Sequence, residues 1–322
     1  VKQLLRWGQL LLLFIAAAAL AQDAKQGFVF IANEENDLFI LPETDQHYTQ
    51  GLHFSLLWPD DETPFPARPL SWIPPLTTRE AIRKFGLEIG QNIYTPVKTE
   101  TTVLQRDDRP YAGWLYLGLL REDRVSSTDG IAMLDRYELQ LGVIGPWSLA
   151  ADAQNWWHNV IRTKEANGWR NQLENEPGIL MRLDRKWRIM DLGDGDDLRL
   201  QMLPRAGVAL GNVETSARLG AMMRLGYNIP DEFGPVIPPS FGWYTFLDLG
   251  ARAVLHNEFL DGNLDQDSHH VAKEPVVIEL RGGLAFEIGQ SEISYTYVYL
   301  TREFKLQDKH DAYGSLNYTY RF

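Results

Sequence analysis

The sequence predicts an all-β protein: a closed antiparallel transmembrane β-barrel of about 12 strands with a short helix in an extracellular loop. Three observations predict it. Apolar and polar side chains alternate through segments of about ten residues, the period of a strand with two different faces. Tyrosine recurs on the apolar face, as in Ile293, Tyr295, Tyr297 and Tyr299. The chain stops on an aromatic, Phe322, inside such a strand, with Leu316, Tyr318, Tyr320 and Phe322 set against Asn317, Thr319 and Arg321.

Alternation also describes a soluble sandwich whose polar face meets water. A terminal Phe on an alternating strand resembles the assembly signal of bacterial outer-membrane barrels, and closure alone leaves no unpaired edge in lipid. The pattern places strands at roughly 27–36, 48–58, 83–94, 111–121, 132–143, 176–190, 198–210, 214–228, 243–257, 275–287, 290–303 and 312–322. An even count puts both termini in the periplasm. The connections 37–47, 95–110, 144–175, 258–274 and 304–311 are then extracellular. Two periplasmic connections, the Pro-rich 59–82 and 229–242, are longer than the short turns usual there.

Lys2 and Arg6 precede an apolar run from Leu10 to Leu20 and the triplet Ala19, Leu20, Ala21. Residues 1–21 therefore read as a signal peptide and 22–322 as one barrel domain, because the run falls short of the ~20 residues a spanning helix needs. The chain has no Cys, so packing and closed hydrogen bonding replace disulfides as the source of stability. A net charge of -12 argues against nucleic acid as a partner and suits divalent cations. Ten Trp and thirteen Tyr suit membrane interfaces.

Strand parity gathers unusual polar residues at the extracellular end. Asn36 and Asp37 close the first strand, Asp45, Tyr48 and Thr49 open the second, and Arg106, Asp108 and Arg109 precede the fourth. Gln154 and His158 lie between the fifth and sixth, in a stretch from Ser148 to Ile161 expected to form a short helix over the barrel mouth. Their i, i+4 spacing turns both to one side. Carboxylate, amide, hydroxyl and imidazole from separate loops are the parts of a hydrolytic site. Each also has a plainer reading: His158 on an interfacial helix held by Trp156 and Trp157, Asp37 as a solvated loop tip. The stretch Leu260–Asn263 with Asp267 to His269 reads either as a cation site or as a turn.

In order, the chain carries Glu35, Asn36, Asp37 with Asp45, Tyr48, Thr49, Gly51 and Leu52; Gly90 to Pro96; Asp108 to Gly113; Gly142 to Pro146; and Gln154, His158 and Trp169 to Gly178. These runs resemble the outer-membrane lipid A 3'-O-deacylases. The resemblance implies a twelve-stranded barrel and a calcium-dependent esterase, expected as a monomer, that removes the 3'-linked acyloxyacyl chain from lipid A of lipopolysaccharide. It makes His158 the general base, imidazole being the side chain whose reference pKa lies near neutrality. It sets Asn36, Asp37 and Thr49 around the metal and the ester carbonyl, with Gln154 orienting base or substrate. Oxygen ligands such as Asp37 suit Ca²⁺. The family pattern has a carboxylate six residues after the His, where this chain has Lys164 with Glu165 beside it. Glu165 is thus the second expected metal ligand, through a one-residue shift, unless the metal site is altered. Lys98, Arg106 and Arg109 are candidates for lipid A phosphates or for pairing with acids. The competing functional reading is a non-enzymatic barrel serving as porin, adhesin or structural element, with a soluble periplasmic binding protein third.

Overall fold

The computed structural model describes residues 27–40, 47–60, 65–127, 130–193, 198–235 and 239–322. The expected signal peptide and Asp45 lie outside them. Among the described residues thirteen strands run in chain order: β1 (Val29–Asn36), β2 (His47–Pro59), β3 (Ile82–Thr95), β4 (Ala112–Val125), β5 (Ala132–Ile144), β6 (Glu176–Arg188), β7 (Met190–Leu192), β8 (Arg199–Gly211), β9 (Glu214–Tyr227), β10 (Phe241–Asn257), β11 (Val276–Ile288), β12 (Ser291–Leu300) and β13 (Asp311–Arg321). Each pairs antiparallel with its neighbours, β1 pairs with β13, and β6 pairs with β8. The sheet therefore closes. The short β7 continues β6 beyond Ile189 against the same partner, β8, with the register shifted by one residue. The barrel has twelve staves, one of them broken.

Alternation sorts side chains to two surfaces. Tyr116, Glu138, Arg182, Glu214, Arg252 and Tyr313 line an interior cavity of about 550 Å³. Leu117, Leu141, Ile179, Leu219, Leu249 and Ile278, one residue out of phase, are exposed on the outside. The outer surface is apolar because lipid covers it. The bore is filled by ion pairs: Arg205 meets Asp248 at 2.9 Å, Arg252 meets Glu214 at 3.1 Å and Glu303 at 2.9 Å, and Arg109 meets Glu303 at 3.1 Å. Charges taken out of water are tolerated only when paired.

The two long periplasmic connections have separate roles. Residues 65–72 form a 3₁₀ turn, and the carbonyls of Leu70 and Ile73 accept from Arg121 at 2.9 and 2.6 Å. Leu70 packs with Trp58 and Phe85 on the outer wall, so this segment folds back over the outside of the barrel. The other connection goes inward. Phe233 is buried among Ala132 and Leu203, with Arg188 over its ring at 5.2 Å. Beside it burial works against the Glu232 carboxylate, but Lys186 and Arg224 hold its pKa down at about 2. At the opposite end a one-turn helix, Glu258–Asp261, places Phe259 on Tyr94, ring centroids 4.3 Å apart. An aromatic thus packs inside the bore toward each end.

Candidate active site on the outer wall

Across β1 to β4, Asn36 pairs with Gln50, Gln50 with Ile93, and Ile93 with Gly113. Their neighbours Glu35, Asn92 and Trp114 line the interior cavity, so this row faces outward. With strands about 4.8 Å apart, Asn36 stands roughly 10 Å from Ile93 along the wall. A bulge lies between Tyr48 and Gln50, and its extra residue is Thr49. Thr49 Oγ1 is 2.7 Å from Thr95 Oγ1, which shares the outer face with Ile93. The bulge re-aims one hydroxyl toward the outside, a common use of such irregularities. Asp37 opens the 3₁₀ turn Asp37–Phe39 and is buried.

Beyond β5 the chain turns at Gly145 and at Leu149, both at positive φ, and enters helix α1 (Ala150–Ile161). The sequence placed this helix over the mouth; the structure seats it against the outer wall instead. Ala150 packs with Ile93, Tyr111, Ala166 and Trp169, flanked by Ala151 and Ala153. At Gly113 a Cβ would overlap Ser148 Oγ and the Ala150 methyl, so the glycine is the seat on which the helix start rests. Gln91 Nε2 donates to Ser148 O at 2.6 Å and ties that turn to the wall. The small, apolar face of α1 lies there because an outward Ile and Gly receive it. Trp156 points away and is exposed.

Gln154 and His158 lie on the wall side of α1, 1% and 2% exposed. His158 Nδ1 is 2.6 Å from Lys164 O. A carbonyl only accepts, so Nδ1 is the donor and Nε2 the basic nitrogen of this tautomer. The backbone of Lys164 therefore orients the ring, while its side chain pairs with Glu100 at 2.6 Å in solvent. Asn155 holds the same loop by accepting from Ala166 N at 2.9 Å. Trp169 Nε1 donates to Gln154 Oε1 at 2.8 Å, which fixes the orientation of that amide.

Asn36, Asp37, Thr49, Gln154 and His158 are all buried at the extracellular end, on the outer side or in the turn that leaves it. Glu165 stands exposed on the loop after α1, and among the described residues no three His, Asp or Glu side chains gather to hold a metal. Arg109 is withdrawn from phosphate binding: it is 1% exposed, paired with Glu303 and stacked over Tyr94 at 4.6 Å. Asp261 is held by Lys273 at 2.7 Å, and Asn263 N donates to Ser268 Oγ, the structure of a turn.

A second imidazole sits nearby. His47 lies between Asp311 (2.5 Å) and Asp108 (3.4 Å), joining three extracellular segments. Burial would raise the Asp108 pKa, but the His47 contact and the N–H groups of Val97 and Arg109 hold it below the usual carboxylate range.

The family model described as outer membrane protein LpxR matches residues 9–322. The chain belongs to the LpxR family. Its fold agrees with that of LpxR from Salmonella typhimurium, at 20% identity over 91% of this chain and 100% of that one, with a TM-score of 0.74. The β domain of the Bordetella autotransporter Brka is more distant, 11% identical over 92% and 99% of the two chains, TM-score 0.46. No curated protein matches the sequence. Membership of the LpxR family makes the chain an outer-membrane protein. The sequence did not show the roles of Gln91, Gly113, Asn155 and Trp169, although Gln91, Gly113 and Trp169 stand in the runs that carry the family resemblance.

Proposed function

We propose that this LpxR family member is an outer-membrane esterase that removes the 3'-linked acyloxyacyl chain from lipid A, with His158 as general base. The observation that carries the reading is the burial of Gln154 and His158 between α1 and the lipid-facing wall, beside the row begun by Asn36. An ester in the outer leaflet reaches that place sideways. His158 Nε2 takes a proton from water, and the water oxygen adds to the ester carbonyl. On collapse the carbon–oxygen bond to the sugar breaks, and the imidazolium returns its proton to the departing 3'-oxygen. The products are a carboxylic acid and a free sugar hydroxyl. Lys164 O supports the transient imidazolium through Nδ1. The Gln154 amide, fixed by Trp169, orients base or substrate.

Asp37, with oxygen donors of Asn36 and Thr49, fits the hard-ligand chemistry of Ca²⁺; with Glu165 turned to solvent, Asp37 is the carboxylate of that set. The cation when bound would polarise the ester carbonyl as a Lewis acid. The test is mass spectrometry of lipid A after incubation with refolded protein and calcium. Wild type should release one acyloxyacyl unit and His158→Ala should be slower by about 10²–10⁴-fold. Intact lipid A with wild type, or equal turnover by the variant, sinks the proposal; turnover that persists in chelator sinks its calcium part alone. The reading as a porin is disfavoured by the ion pairs and the Phe233 and Phe259 rings that occupy the bore, and a conductance step in planar bilayers would restore it.

A further inference from the structure

A second cavity, of about 1090 Å³, opens where the lipid-facing wall meets the extracellular loops on the β12–β13 side. Its floor is apolar, built from Ile40, Tyr297 and Leu306. Tyr297 pairs with Gly314 and shares the outer face with Ile293, both tyrosine and isoleucine being exposed to the lipid belt. Its rim carries Lys98, Arg106 and Lys309. Among the described residues none of these three forms an ion pair, in a protein whose bore pairs nearly every cation it holds. Of the described acids that line it, Asp108 is engaged by two backbone N–H groups at 2.8 Å and by His47, which leaves Asp107 and Asp308 against three cations among the described residues. His310 adds a fourth basic group, lying on the Tyr299 ring at 4.5 Å.

An apolar floor continuous with the lipid belt, under a rim of cations that make no ion pair among the described residues, is complementary to one kind of molecule. We infer that this groove holds a phosphate-bearing lipid of the outer leaflet, its acyl part on Tyr297 and Leu306 and its phosphate at Lys98, Arg106 and Lys309. The groove is separate from the α1 pocket, with the Asp37–Ile40 turn and the 97–108 loop between them. On the proposed function, on which the identity of this lipid rests, the occupant is the phosphate-bearing part of the lipid A molecule whose ester lies under α1, and the groove sets affinity rather than chemistry.

The test measures binding of lipid A carrying its phosphates, and of the same lipid A after phosphatase treatment, to full-length protein in detergent on a His158→Ala background that slows turnover. Replacing the three cations by Gln (Lys98→Gln, Arg106→Gln, Lys309→Gln) should weaken binding of the phosphorylated lipid by about tenfold or more and of the dephosphorylated lipid by less than about twofold. Leu306→Glu, which charges the floor, should weaken both. Equal affinity for the phosphorylated lipid in wild type and triple variant overturns the inference, as does displacement of the lipid by inorganic phosphate alone. Retention of the heat-modifiable gel shift of a folded barrel certifies each variant. Wild-type protein that binds phosphorylated lipid A through these cations yet never cleaves it refutes the esterase and leaves the groove standing.

Discussion

Gly113→Ala tests the outer-wall site with a single methyl. In β4 the change removes nothing and slightly favours the strand, since Ala loses less chain entropy than Gly. The added Cβ, however, would meet Ser148 Oγ and the Ala150 methyl at an overlap of roughly 1 Å or more against the ~3.5–4.0 Å at which carbon atoms rest. Ser148 has no room to yield: it is fully buried and its hydroxyl donates to Gly145 O at 2.6 Å. The Ala150 methyl has no rotamer to escape into and moves only with the helix. The start of α1 must therefore lift by about an ångström, carrying Gln154 and His158 with it, and a displacement of that size costs on the order of 10²-fold in rate. Lipid A turnover should fall by about that factor while the barrel retains its heat-modifiable gel shift. Gly282→Ala, where the nearest atom to a new Cβ is an ordinary 3.8 Å away, is the matched control and should change neither. Turnover by Gly113→Ala within about twofold of wild type would refute the seating of α1 as the device that positions the base.

Trp169→Phe keeps a ring against Tyr111 but deletes the N–H that holds Gln154; a hydrogen bond worth ~1 kcal/mol implies a roughly fivefold slower turnover at unchanged thermal stability, and an unaltered rate would show that Gln154 needs no such holder. Lys164→Ala should leave turnover within about twofold, because His158 uses the backbone carbonyl and the exposed pair with Glu100 contributes ~0–1 kcal/mol; a large loss would assign the side chain a role. The Asp108 carboxyl is held below its ordinary value, so its contribution to rim order is complete above pH about 4 and disappears as pH falls through the lower folded value. Limited proteolysis should therefore begin to cut the 97–108 loop only under strongly acidic conditions in wild type, whereas Asp108→Asn should show its cleavage already at neutral pH with little further change on acidification.

Period-2 alternation made the staves legible nearly residue by residue: 214–228 expected against Glu214–Tyr227 found, 132–143 against Ala132–Ile144. It is legible because each face meets a different solvent, lipid outside and ion pairs within. The break at Ile189 carries no such mark, since a one-residue register shift leaves composition unchanged. The candidate residues were legible as residue types, but their side of the wall was not. An amphipathic helix reads the same over a mouth as against a wall, and what decides between them is Ile93 and Gly113, more than thirty residues upstream. The orientation of His158 was invisible for another reason: it depends on a carbonyl, which every residue possesses. The connection 59–82 likewise reads as a Pro-rich loop until Arg121, far along the chain, is seen to need its carbonyls.

The seating of α1 on the outside of the barrel changes the dimension in which encounters occur. A pocket in the bore would meet its substrate only after that molecule left the bilayer, and its rate would follow bulk concentration. A pocket between helix and wall is supplied by lateral diffusion along the leaflet. Its saturation is then governed by the mole fraction of substrate among neighbouring lipids, and diluting the membrane with inert lipid slows it even when the total amount in the sample is unchanged.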